Sequence, residues 1–188
     1  MQASGRGDSA AFARLFDRHQ ASVVRFCYRF VGTQARAEEL AQDIFIKVYR
    51  SSAGYRPTAA FKTYLFRIAT NHCLNDVRRG AVVTEAEMTR DDTESPLERE
   101  PSSETPEDAL RGRELEGAVS KALSTMSDRE RAAFAMCRFE GMAYRDIAHA
   151  LEATEAAVKS LIHRATLQVM KQLEALDEGV SPTGRSVA

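Results

Sequence analysis

Residues 81–113 set the tightest limit on what this chain can fold into. Three of its five prolines, Pro96, Pro101 and Pro106, fall there among Ser, Thr, Asp and Glu, with few large apolar side chains. Such a stretch cannot bury enough apolar surface to offset the entropy of ordering it. The chain must therefore fold on either side of it. The expectation is an all-α protein of two small, independent helical domains, residues 8–80 and 114–176, joined by a flexible acidic linker over 81–113 and followed by a disordered tail over 177–188. Charge divides the chain in nearly the same way: residues 1–80 carry 13 Lys/Arg against 6 Asp/Glu, and residues 81–116 carry 4 against 12. A basic front suits a polyanionic partner, and self-repulsion extends the linker, to at most about 3.3 Å per residue.

In the first domain, Asp8 reads as an N-cap, and Phe12, Leu15, Phe16, His19, Val23, Phe26, Cys27 and Phe30 recur at helical spacing up to Gly32. A second helix, from about Gln34 to Ser52, turns Leu40, Ala41, Ile44, Phe45 and Val48 inward. Glu39, Gln42, Asp43, Ile46, Lys47 and Arg50 lie around its opposite face. Ile46, apolar and rimmed by polar residues, has the look of a docking patch. A loop carrying Tyr55, Arg56 and Pro57 follows, and then an uninterrupted helix from Phe61 that the pattern ends at Arg79, with Gly80 as C-cap. Phe61, Leu65, Ile68, Ala69 and Cys73 share one side of it; Tyr64, Arg67, Asn71, Asn75 and Arg78 share the other. An aromatic ring, two amides and two guanidinium groups on one face can stack on a base, bond its edge and hold its phosphates. The same face also fits an ordinary solvated helix.

In the second domain, Leu115–Leu123 reads as a helix, and Ser127-Asp128-Arg129-Glu130 as a capping box opening the next. Tyr144–Leu151 and a helix capped by Thr154 are separated only by Glu152 and Ala153, a candidate helix-turn-helix, although helical hairpins of ordinary kind share that pattern. The last helix carries Lys159, Ser160, His163 and Arg164 outward near its start, the end that a recognition helix places in the major groove.

Cys27, Cys73 and Cys137 are odd in number, widely spaced and set in apolar helical patterns, as reduced core cysteines are. The four histidines show no metal-ligand spacing, so no metal or other cofactor is expected. A phosphate-cradling glycine loop and a nucleophile beside a base are both missing from the sequence, which argues against an enzyme and against a small-molecule substrate. The chain shows neither a membrane-spanning apolar run nor the order of a secretion signal, and the expected location is the cytoplasm.

Read in order, these parts resemble the extracytoplasmic-function group of bacterial sigma factors. Glu38-Glu39-Leu40-Ala41-Gln42-Asp43-Ile44-Phe45-Ile46-Lys47-Val48-Tyr49-Arg50 looks like that family's polymerase-docking helix. Phe61–Arg79 looks like its promoter-melting helix, and Tyr144–Leu173 like its second-domain helix-turn-helix. The resemblance implies an alternative sigma factor that binds core RNA polymerase and recognises and melts promoter DNA. It assigns Glu39, Gln42, Asp43, Ile46, Lys47 and Arg50 to polymerase docking and Tyr64, Arg67, Asn71, Asn75 and Arg78 to the minus-ten element. Thr154, Lys159, Ser160, His163 and Arg164 fall to the minus-thirty-five element. It further implies an anti-sigma partner, which in this group often holds the sigma factor at the inner face of the membrane. The sequence departs from the family pattern at Tyr49 and Tyr64, where Trp is usual, at Asn75, where Asp is usual, and at Ala156, Ala157 and Leu161 in the recognition helix. The rival reading is a helix-turn-helix regulator that acts without binding core polymerase.

Overall fold

The computed structural model describes residues 1–83 and 106–179, and within them the regular structure is helical throughout. A short helix α1 (Gln2–Gly5) precedes α2 (Ser9–Val31), α3 (Gln34–Arg50) and, after a 3-10 turn at Ser52–Gly54, α4 (Phe61–Val83). Helices α5 (Pro106–Thr125), α6 (Asp128–Arg138), α7 (Tyr144–Leu151) and α8 (Glu155–Gly179) follow. The local signals act where the sequence places them. Asp8 accepts from the Ala11 amide at 2.8 Å and starts α2. Gly32, at φ 75°, ends it in a left-handed conformation that costs glycine little. Both bonds of the Ser127–Glu130 capping box are made, and Thr154 accepts from the Ala157 amide at 3.2 Å at the head of α8.

Several boundaries move. Helix α3 stops at Arg50 and not Ser52, α4 runs through Gly80 to Val83, and α8 continues to Gly179, beyond the expected start of the tail at 177. The larger change is α5, which begins at Pro106 inside the stretch read as linker. Proline is favoured in the first helical turn because its missing N–H has no partner to lose there, and Asp108 suits the positive end of the helix dipole. The same residues that argue for a linker thus also argue for a helix start. The remainder of the expected linker, 84–105, and the expected tail from 180 lie outside the described residues.

The expected independence of the two domains gives way to a shared core. One continuous apolar cluster joins Phe26, Leu40, Ile44, Leu65 and Phe66 of the first half to Met136, Met142, Ile147 and Val158 of the second. Helix α4 packs against α2 and α3 and also against α7, which explains why Thr63, Phe66 and Thr70, outside the expected inner stripe, are fully buried. Polar ties cross the same seam. Lys62 Nζ lies 3.1 Å from Glu140 Oε2 and donates to the Glu140 carbonyl at 2.6 Å. The Arg29 guanidinium sits 3.7 Å above the Phe139 ring centroid. Burial lowers the Arg29 pKa to about 10, so it stays charged at neutral pH. Arg131 is buried, donating to Leu123 O at 2.9 Å and Met126 O at 3.3 Å, and across the seam to Phe30 O at 3.4 Å. The two nearer carbonyls belong to the end of α5, where helix geometry leaves acceptors without partners.

Candidate functional site

Helix α3 presents two parallel outward stripes, because residues four apart share a helix face. Gln42, Ile46 and Arg50 form one, and with Phe12, Phe16, Phe45 and Tyr49 they line an apolar cleft of about 480 Å³ between α2 and α3. Ile46 is 47% exposed and Tyr49 52%, although Leu40, Ile44, Phe45 and Val48 of the same helix are buried. Two edge-on aromatic pairs, Phe12 with Tyr49 and Phe16 with Phe45, at 4.9 and 4.8 Å, fix the cleft walls. The sequence reading missed Phe12, Phe16 and Tyr49 as members of this surface. Phe12 and Phe16 belong to the apolar stripe of α2, and only their half-buried place at its edge, which spacing does not show, puts them on the cleft.

Glu39, Asp43 and Lys47 form the other stripe, and they face a different neighbour. Glu39 is held by Arg36 at 2.7 Å, and Arg36 also pairs with Asp76 of α4. Lys47 Nζ lies 2.6 Å from His72 Nδ1, and His72 Nε2 lies 3.5 Å from Asp43 Oδ2. A lysine ammonium can only donate, so this geometry requires a neutral imidazole accepting at Nδ1 with its proton on Nε2 toward Asp43. Burial and the Lys47 charge both push the His72 pKa below 6.5 in agreement. The six residues assigned to docking are therefore divided: three line the cleft, and three are tied to one another or to the neighbouring helix.

On α4, Asn71, Asn75 and Arg78 are exposed along one side, while Tyr64 and Arg67 are half-buried. Tyr64 donates to Ser51 Oγ at 2.6 Å and its ring meets Tyr55 edge-on at 4.9 Å. Arg67 lies 5.7 Å from the Tyr64 ring centroid. Tyr55, Arg56, Thr58 and Ala59 of the preceding loop join Tyr64 and Arg67 around a small cavity of about 10 Å³, whose remaining wall is His149 of α7. That volume holds about one water and no nucleobase. Burial, with the neighbouring Tyr64, raises the Tyr55 pKa, which keeps its hydroxyl protonated.

The turn between α7 and α8 is as tight as its sequence requires, with Glu152 left-handed at φ 50° and the Ala153 amide bonded to Ala148 O at 2.9 Å. Lys159, Ser160 and His163 stand exposed on the first turns of α8, with Thr154 at its cap. Arg164 is exposed but committed: its Nε lies 2.5 Å from Glu130 Oε1. Burial alone would raise the Glu130 pKa, yet the bonds from Arg164 and Ser127 outweigh it and hold the carboxyl below its usual value. Leu161 is buried, which explains an apolar residue at that place in the helix.

Comparison with known proteins matches residues 15–82 to the family described as Sigma-70 region 2 and residues 116–169 to Sigma-70, region 4. The RNA polymerase sigma-H factor of Pseudomonas aeruginosa is 34% identical over 91% of this chain and 90% of its own. The ECF RNA polymerase sigma factor SigM of Mycobacterium tuberculosis is 30% identical over 93% of this chain and 83% of its own. Among solved structures, the sigma factor RpoE of Bartonella quintana, crystallised with the anti-sigma factor NepR, superposes with a TM-score of 0.69 at 20% identity, covering 87% of this chain and 97% of that one. CnrH, in complex with the cytosolic domain of CnrY, gives 0.68 at 20% identity over 92% of this chain and 94% of that one.

Proposed function

The chain belongs to the extracytoplasmic-function sigma factors of the sigma-70 family, and from that membership we infer how its surfaces divide the work of an alternative sigma factor that directs transcription. Core RNA polymerase docks on the α3 cleft through Gln42, Ile46 and Arg50. The Glu39, Asp43 and Lys47 stripe borders the contact. One observation carries this: an exposed isoleucine and tyrosine line an open apolar cleft on a helix whose other large apolar residues are all buried. Apolar surface rimmed by polar groups is what a protein partner covers.

Promoter DNA falls to the two other surfaces. Asn71, Asn75 and Arg78 face the minus-ten strand, and the Tyr55–Tyr64 loop cavity takes an extruded base. Unstacking that base costs a few kcal/mol, which stacking on tyrosine rings returns at about 1–3 kcal/mol per base. The cavity must open for this, and its movable wall is His149. Base capture thus requires α7 to leave α4, breaking the Lys62–Glu140 and Arg29–Phe139 ties. Lys159, Ser160 and His163, with Thr154, read the minus-thirty-five duplex, whereas Arg164 orients α8 through Glu130 and reaches DNA only if that pair breaks. Domains 8–80 and 114–176 carry these two roles, joined through the intervening segment.

The chain acts as an initiation factor, and we assign its own residues no catalytic step and no cofactor. Among the described residues no helix is long and apolar enough to cross a membrane, and we place the protein in the cytoplasm. Since one structural neighbour is in complex with an anti-sigma factor and the other with the cytosolic domain of a partner, we extend an anti-sigma partner to this chain, seated on the α3 cleft and anchored at the membrane where it spans one. A pull-down with core polymerase tests the docking surface. Ile46→Glu should lower core affinity at least about tenfold, since a charge replaces the buried anchor of the contact. Unchanged affinity would remove the cleft from the docking site.

A further inference from the structure

We infer that the segment 1–7 is a positioning element for the base cavity, acting through Gly5; this rests on reading that cavity as part of the minus-ten site. The segment folds back from α2 onto the turn that precedes α4. Its own turn is closed by backbone bonds from Gly5 to Met1 O at 2.8 Å and from Asp8 to Ala3 O at 3.1 Å. Met1 packs against the main core and Ser4 is buried. At Gly7, φ is 94°, a left-handed turn that delivers the chain into the Asp8 cap of α2. The segment is thus anchored on α2 and on the core, and its free face meets the 3-10 turn at Ser52–Gly54.

The point of contact is Gly5. A β-carbon there would overlap Ser52 O and stand 2.9 Å from the Ser52 carbonyl carbon, with Ala53 Cα at 3.4 Å. These are backbone atoms, which cannot swing aside as a side chain does. The Ser52 carbonyl is also the acceptor for the Tyr55 amide, at 3.2 Å. Tyr55 in turn packs edge-on against Tyr64 at 4.9 Å, and both line the cavity. From the other side the same turn is held by Tyr64 donating to Ser51 Oγ, while Ser51 Oγ–H donates to Val48 O at 2.9 Å. A continuous path therefore runs from Gly5 through the Ser52 carbonyl to the Tyr55 amide and its ring. Moving Ser52 moves Tyr55, and with it the wall on which a base would stack. Gly5 is not among the residues that line the docking cleft, and its helix packs chiefly on the 3-10 turn and on α2, so its influence runs to the minus-ten side.

The test uses the full chain with core polymerase and compares Gly5→Ala and a deletion of residues 2–6 with wild type and with Gln2→Ala, an exposed control. Permanganate reactivity of the minus-ten region reads opening, and 3-fluorotyrosine ¹⁹F NMR of the free protein reads the tyrosine rings. Gly5→Ala should shift the Tyr55 and Tyr64 resonances, leave Tyr28 and Tyr144 in place, and lower opening at least about fivefold with core affinity unchanged. The deletion should lower opening likewise, and Gln2→Ala should change neither readout. Tyr55 and Tyr64 resonances that stay in place in Gly5→Ala overturn the positional claim. Shifted resonances with full opening by both variants overturn its functional part. A wild-type chain that binds core but opens no promoter instead refutes the minus-ten reading, and the resonances still decide whether Gly5 sets the turn.

Discussion

His72 lies where the docking helix and the melting helix meet, between Lys47 and Asp43, one position from Asn71. It is held neutral, and so is His19, whose pKa is lowered by burial and by Arg18. The unfolded chain therefore binds these protons more readily than the folded one. Their contribution to stability is fully present above the ordinary value of 6.5 and is lost as pH falls below it toward the folded values. Urea unfolding at pH 7.5 and 5.5 should show lower stability at the acid end, and His72→Gln should reduce that difference; an equal difference in the variant would assign the loss to other groups. Asn71 itself is exposed. Asn71→Ala should lower minus-ten opening about tenfold, the loss of one well-placed bond, while core binding holds.

Helices were the most legible level, because their apolar spacing is a property of a few neighbouring residues. The inner stripes of α2 and α3, the capping box at Ser127 and the tight turn at Glu152 were all readable in that way. The start of α5 was not, since Pro106 and its acidic neighbours suit a linker and a first helical turn equally well. The burial of Thr63, Phe66 and Thr70 was hidden for another reason: it depends on helices packed against α4 from elsewhere in the chain, Phe66 meeting Phe26 of α2 edge-on and α7 arriving from far along the chain. Arg131 was illegible too, because an arginine beside a capping box gives no local sign that it will serve carbonyls at the end of the previous helix and on α2. That role predicts its cost. Arg131→Met should destabilise the fold by about 2 kcal/mol, since the carbonyls it bonds lose their donor while still buried. Ser127→Ala should cost about 1 kcal/mol through the lost cap. Urea midpoints check both, and a value for Arg131→Met no larger than for Ser127→Ala would contradict the role given to that guanidinium.

At the scale of the molecule, the two halves share one core, yet the functional reading asks them to part. The seam is built for that: it combines apolar contact with the Lys62–Glu140 ion pair, a few hydrogen bonds and the Arg29 cation over a ring, weaker per contact than a dry core. Joining Lys62→Cys and Glu140→Cys with a short bis-maleimide, in a Cys137→Ser background, should leave core binding intact and abolish promoter opening. The singly modified proteins should stay active; full opening by the joined form would show that α7 need not move. The division of labour itself, docking on α3 and melting on α4, is tested most directly by run-off transcription with core polymerase over a pool of randomised promoters, using wild type, Ile46→Glu and Asn71→Ala side by side. The account predicts that wild type selects promoters with two separated elements, that Ile46→Glu loses transcript together with core binding, and that Asn71→Ala loses transcript while retaining core. Selection of promoters by Ile46→Glu at the wild-type level, or loss of core binding in Asn71→Ala, would contradict it.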